Sequence, residues 1–265
     1  MKTKVSITLD SKLLDDLDAL IDGIKIRNKS QAIEFLIKKS LSERKPAVIL
    51  AGGPEEKLRA WDTYRPLIKI GKKTLIEKMI ENLRKYKFLD IFIVGRKKIL
   101  SEIFKSAGDG STFGVNLNYI EEKYEQPITP LDTARTLKLL KGKINQSFLC
   151  INCDLVFDYD LDAVWNFFVK NGNVAMLLLK TTEQPGKYAV VEIEGNKILR
   201  LEEKPRKAVS YLVYTGMFIA DPEIFKFPGN SLEHEIFPAL AKKDLLDGYI
   251  PAGRSENVHS KSFTF

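Results

Sequence analysis

The sequence predicts an α/β protein in which a largely parallel, doubly wound sheet follows a small strand–helix–helix domain. Three observations carry that prediction. From Ala47 onward, short apolar runs alternate with segments whose apolar residues recur at helical spacing, as in βαβ units. The run from Ala47 to Leu50 breaks at once into Gly52-Gly53, a strand–glycine turn that lets backbone N–H groups close on a ligand. The first 45 residues follow another pattern, and the short linker Ser42 to Pro46 joins them to the rest. This divides the chain into residues 1–45 and 46–265.

The elements follow in order. Lys4-Val5-Ser6-Ile7-Thr8-Leu9 alternates strictly and reads as a half-buried strand. Asp10 or Ser11 caps a helix to about Asp22, with Leu13, Leu14, Leu17, Leu20 and Ile21 as its stripe and Gly23 as its stop. Asn28 caps a second helix, whose Ala32, Ile33, Leu36, Ile37 and Leu41 face inward. A lone strand and two helices bury too little apolar surface and leave both strand edges unpaired, so this segment is expected to form a homodimer through its strand. Next come the strand at Ala47, the glycine turn, a turn at Gly71 and a helix from Thr74 to Tyr86 with Leu75, Met79, Ile80 and Leu83 inward. Ile91 to Gly95 is a strand, Arg96 to Ala107 a helix and Val115 to Ile120 a strand. Phe148 to Asp154 is a buried strand ending in a carboxylate, and Tyr188 to Ile193 pairs with Lys197 to Leu201 as a hairpin.

Composition narrows the function. The 42 basic residues outnumber the 35 acidic ones, giving a net charge of +7 and a pI near 9.1, which suits an anionic partner. Cys150 and Cys153 lie inside the buried strand with no second cysteine pair, so they read as core thiols rather than metal ligands or a redox couple. No signal peptide and no apolar run of membrane-spanning length is present, and the expected location is cytoplasmic.

The first 45 residues resemble the ribbon-helix-helix DNA-binding family of the Arc and MetJ type. The resemblance implies that double-stranded DNA is a partner. Lys2, Lys4, Ser6 and Thr8 would enter the major groove from a two-stranded ribbon, and Asn28, Lys29 and Ser30 would hold a phosphate at the start of the second helix.

The rest resembles the sugar nucleotidyltransferases, the sugar-1-phosphate pyrophosphorylases, with a Rossmann-like fold. The family signature L-A-G-G-x-G-T-R-L followed by P-K-P-L is met by Leu50-Ala51-Gly52-Gly53, Leu58 and Pro66-Leu67. Glu55, Glu56 and Lys57 stand where Gly, Thr and the catalytic Arg are expected, and Arg65 replaces the signature Lys. Leu131-Asp132-Thr133-Ala134 resembles L-G-T-A, with Asp132 for Gly. Asn152-Cys153-Asp154 resembles N-G-D, whose Asp holds Mg2+; Glu203-Lys204-Pro205 matches E-K-P; Tyr214-Thr215-Gly216 resembles Y-T-G. The resemblance thus implies a ligand site of Leu50, Ala51, Gly52, Gly53, Asp132, Thr133, Asp154, Glu203, Lys204, Thr215 and Gly216, with Lys57 and Arg65 as catalytic candidates. The second metal carboxylate, the Asp of W-x-D-I-G-T, has no aspartate equivalent near Glu256.

Two acids in a phosphate loop repel a triphosphate, and Arg and Lys are not interchangeable at a bidentate site. The leading expectation is therefore a DNA-binding transcriptional regulator whose second domain binds a nucleotide, sugar phosphate or nucleotide sugar with little catalysis. The alternative is an active Mg2+-dependent sugar-1-phosphate nucleotidyltransferase carrying a DNA-binding arm. A scaffold whose ribbon only dimerises it is the third.

Overall fold

The computed structural model describes residues 6–23, 26–43, 45–123 and 133–258. The chain divides into two compact units, Met1–Arg44 and Lys45–Phe265.

In the first unit, Asp10 caps α1 (Ser11–Asp18) by accepting from the Lys12 N–H at 2.8 Å. Asn28 caps α2 (Lys29–Glu43), its Oδ1 accepting from the Gln31 N–H at 3.0 Å. Both expected helices are present, and α1 ends four residues earlier than its apolar stripe suggests. Residues 6–9 form no strand. A ladder needs a second strand, and the described part of this chain offers none here; Lys2, Lys4 and Val5 lie outside the described residues. Leu17 and Ala32 are buried, while Ile7, Leu13, Phe35, Leu36 and Ile37 are exposed. The inward face expected for Leu36 and Ile37 is thus open in the single chain.

The second unit opens with β1 (Pro46–Ala51), buried along its whole length, and the one-turn α3 (Glu55–Leu58). Two small hairpins, Arg59–Ala60 with Thr63–Tyr64 and Lys69–Ile70 with Lys73–Thr74, lead into α4 (Leu75–Lys85). A capping box starts α4: Thr74 Oγ1 and Glu77 Oε2 each accept the other's backbone N–H. There follow β2 (Asp90–Gly95), α5 (Lys97–Ala107), β3 (Asn116–Glu121), α6 (Thr133–Lys138), β4 (Phe148–Asn152), β5 (Leu155–Phe157) and α7 (Leu161–Asn171). The chain continues through β6 (Ala175–Thr181), β7 (Ala189–Glu194), β8 (Lys197–Glu203), β9 (Leu212–Ala220), α8 (Phe237–Ala241), β10 (Leu246–Tyr249) and β11 (Ser255–Asn257).

Nine of these strands form one sheet in the order β6-β10-β8-β7-β9-β4-β1-β2-β3. β4, β1, β2 and β3 are parallel neighbours, while β9 enters antiparallel beside β4. The doubly wound, mostly parallel α/β expectation holds for this half, and the other half is mixed. Alternation along β1 sends Ala47, Ile49 and Ala51 into one core with α4, α5 and α7, and Val48 and Leu50 into the other with α6 and α8. Strand order reverses at β1, with β2 on one side and β4 on the other. A crevice for ligands opens beyond the carboxyl ends of two such strands.

Candidate active site

The glycine loop leaves β1 at that reversal. Gly52 has no room for a side chain: a Cβ there would sit 2.7 Å from Thr136 Cγ2 and 3.0 Å from Glu122 Oε2. Gly53 turns with φ +96, and its N–H donates to Glu122 Oε2 at 3.0 Å. The other carboxylate oxygen of Glu122 accepts from the Thr136 hydroxyl. Glu122 is buried and fastens the loop to α6. A cavity of about 180 Å³ beside the loop is lined by Gly52, Gly53, Lys57, Arg65, Thr133, Thr136, Asn152 and Asp154, among others. Leu50 lines it; Ala51 does not, because its side chain packs into the core on the other face.

The two loop acids do not face this cavity. Glu55 accepts from the Tyr64 hydroxyl at 2.5 Å and from Lys98 Nζ at 2.9 Å, and Arg59 lies 3.8 Å away. Those two hydrogen bonds hold its carboxyl below the usual range. Neither Glu55 nor Glu56 lines the cavity, whereas Lys57 does. Tyr64 and Lys98 thus draw Glu55 off the loop, and α3 presents its lysine to the cavity.

Asp154 stands just beyond β4 and is 7% exposed. Its Oδ2 accepts from Arg65 Nη1 at 3.0 Å. β5 pairs antiparallel with β11, which brings Asn257 alongside; its amide reaches Asp154 Oδ1 at 3.5 Å, and the Val258 N–H donates to the Asp154 carbonyl at 2.9 Å. Asn257 Oδ1 is buried with no hydrogen-bond partner among the described residues. Asn257, rather than Glu256, is the residue beside Asp154, and sequence reading missed it by looking for a carboxylate where an amide stands. The Asp154 carboxylate offers hard oxygens at the edge of this cavity, a donor that suits Mg2+ completed by phosphate and water.

Asn152 and Asp154 also line a second, larger cavity of about 980 Å³. Glu203, Lys204, Thr215 and Gly216 line it, and Lys180, Tyr188, Glu233 and Arg254 join them. Thr133 links the two: its hydroxyl donates to Glu233 Oε2 at 2.8 Å and accepts from the Leu232 N–H at 2.9 Å. Burial pushes the Glu233 carboxyl up from its ordinary value. Asp132 lies outside the described residues. Cys150 and Cys153 are buried, and burial pushes both thiols well up, in keeping with inert core thiols.

Residues 46–259 match the nucleotidyl transferase family. The chain belongs to that family. Among curated nucleotidyl transferases, it is 30% identical over 211 residues to the mannose-1-phosphate guanyltransferase of Yarrowia lipolytica, covering 75% of this chain and 56% of that one. It is 28% identical over 212 residues to that of Saccharomyces cerevisiae, covering 75% and 57%. The chain thus spans a little over half the length of the curated relatives it matches. A crystal structure assigned as a glucose-1-phosphate thymidylyltransferase from Bacillus anthracis shares the fold with a TM-score of 0.72 at 23% identity, over 82% of this chain and 91% of that one.

These relatives overturn the leading expectation of a DNA-binding regulator with a spent transferase domain, because the proteins it matches are named as sugar-nucleotide-forming enzymes. The family match begins at residue 46 and lends no support to the DNA contacts expected of the first unit. Asn28 spends its side chain capping its own helix, and Lys29 pairs with Asp18 at 3.0 Å. Ser6 and Thr8 lie on residues without a strand to aim them, and Ser30 is exposed in the first turn of α2. No described helix is long and apolar enough to cross a membrane.

Proposed function

We propose that the chain transfers a nucleotidyl group from a nucleoside triphosphate to a sugar 1-phosphate, forming a nucleotide sugar and releasing pyrophosphate. The observation that supports this best is the meeting of the two cavities at Asn152 and Asp154. The smaller, with its glycine loop, receives the triphosphate; the larger receives the sugar phosphate. A phosphate oxygen of the sugar phosphate attacks the α-phosphorus, a new P–O bond forms, and the bond to the β-phosphate breaks with its electron pair leaving on pyrophosphate.

Lys57, which lines the smaller cavity, neutralises the leaving phosphates, while Arg65 holds Asp154 in place beside them. Asp154 would hold a Mg2+, which when bound would supply charge neutralisation on the phosphates. Glu203 accepts sugar hydroxyls, and Lys204, Thr215 and Gly216 border the sugar. GTP with mannose 1-phosphate is the first pair to assay, and dTTP with glucose 1-phosphate the second. Pyrophosphate release from a panel of such pairs with Mg2+ tests the reading; no release from any pair overturns it.

We also propose that the first unit joins a second copy of the chain. Five large apolar residues stand exposed on a unit of two helices, and residues 6–9, the described part of the alternating segment, have no ladder partner among the described residues.

A further inference from the structure

Arg65 is set against Asp154 by its place in the chain. It opens the single 3-10 turn Arg65–Leu67, where Pro66 is buried and fixes the backbone, directly after the hairpin strand Thr63–Tyr64. Its guanidinium donates to Asp154 Oδ2 at 3.0 Å, with the two side chains 23% and 9% exposed. The Asn257 amide donates to the other oxygen, Oδ1, at 3.5 Å. N–H donors thus face both oxygens of the one carboxylate that suits a hard cation.

The charges lining the smaller cavity point the same way. Lys57 and Arg65 are its cations and Asp154 its acid. With two cations against one acid, a divalent cation that arrives alone brings charge of the wrong sign to this place. It must also compete with a guanidinium that does not give up its proton. The protein offers few further ligands, since no group of three or more His, Cys, Asp or Glu side chains among the described residues could hold a metal ion. Mg2+ on one carboxylate takes its other oxygens from phosphate and water. A triphosphate reverses the balance: its oxygens meet the charges of Lys57 and Arg65 and complete the coordination of the ion.

We propose that Arg65 gates the metal: its charge on Asp154 holds off a divalent cation that comes alone and admits one that comes with a triphosphate. This rests on the transfer reading above, whose donor substrate is that triphosphate. The guanidinium stays beside Asp154 throughout, and what changes is the charge around it. Metal and triphosphate then bind with positive coupling, each strengthening the other by the same factor.

Titration of the full chain with Mn2+, with the free ion followed by electron paramagnetic resonance, reads metal binding without turnover. Wild type binds Mn2+ alone weakly, and Arg65→Met binds it about 10-fold more tightly, within the ordinary range of coupling between sites. Arg65→Lys keeps the charge and stays near wild type. Adding Asp154→Asn to Arg65→Met abolishes the gain, which assigns the ion to Asp154; thermal melting checks that each variant folds. On the wild-type chain, Mn2+ raises the melting temperature when GTP is present and not alone, a measurement that needs no variant. Equal or weaker Mn2+ affinity in a folded Arg65→Met, a gain that survives Asp154→Asn, or an Mn2+-induced rise in wild-type melting that is the same with and without GTP overturns the gate. Pyrophosphate release alongside any of these results leaves the transfer reading standing. Gated Mn2+ binding in a chain that releases no pyrophosphate from any pair overturns the transfer reading and leaves the gate.

Discussion

Asp154 joins everything at the residue scale: it stands just beyond β4, borders both cavities, holds Arg65 and accepts from the Asn257 amide. Asp154→Asn keeps the shape and removes the charge, so kcat/KM for nucleotidyl transfer falls about 100-fold or more. Thermal melting of the variant checks that the fold persists; undiminished turnover would remove Asp154 from the reaction. Glu233 gives a prediction in pH. Its folded-state pKa is raised by burial, so the folded chain holds this proton more tightly than the unfolded one. Its contribution is full below the unfolded pKa and is lost as pH rises through the folded pKa. Glu233→Gln, whose amide oxygen still accepts from Thr133, therefore melts about 2 °C above wild type at pH 8. At pH 4 the gap closes. A gap that is equal at both pH values would show that the carboxyl titrates normally.

Elements explain which parts of the site are legible in sequence. The turn at Gly52-Gly53 was, because a strand running into two glycines is a local pattern. Asp154 and Glu203 were too, because short motifs carried them. Residues that act across the chain were not: Asn257 meets Asp154 only through the β5–β11 pairing, 103 residues apart, and Lys180 finds Ser255 across 75. Glu55 was misread for the same reason, since Tyr64 and Lys98 draw it off the loop after folding. The turn itself is testable. An added methyl at Gly52 must displace Thr136 and Glu122, which together fix Gly53. Gly52→Ala raises KM for the triphosphate about 10-fold, a loss near 1.4 kcal/mol, and leaves KM for the sugar phosphate in place. Both constants moving together would mean that the loop serves the whole site rather than the triphosphate.

Across the whole molecule, the division between Arg44 and Lys45 separates a unit with little buried apolar surface from one with two large cores. The linker seen in sequence as Ser42 to Pro46 is shorter in the structure, since α2 runs to Glu43 and β1 begins at Pro46. Lys45 belongs with the second unit: its ammonium pairs with Asp162 at 2.6 Å and lies over the rings of Phe88 and Trp165 at 5.5 and 5.6 Å. A truncation must therefore spare Lys45 and remove residues 1–44. The second unit keeps every site residue named above, so pyrophosphate release survives the cut. Self-association does not, because the exposed Ile7, Leu13, Phe35, Leu36 and Ile37 leave with the first unit. Light scattering then gives twice the chain mass for the full protein and a single chain for the truncated one. Truncated protein that still doubles at low concentration would place the interface on the second unit, and full-length protein that scatters as a single chain would leave the apolar face without a second copy to cover it.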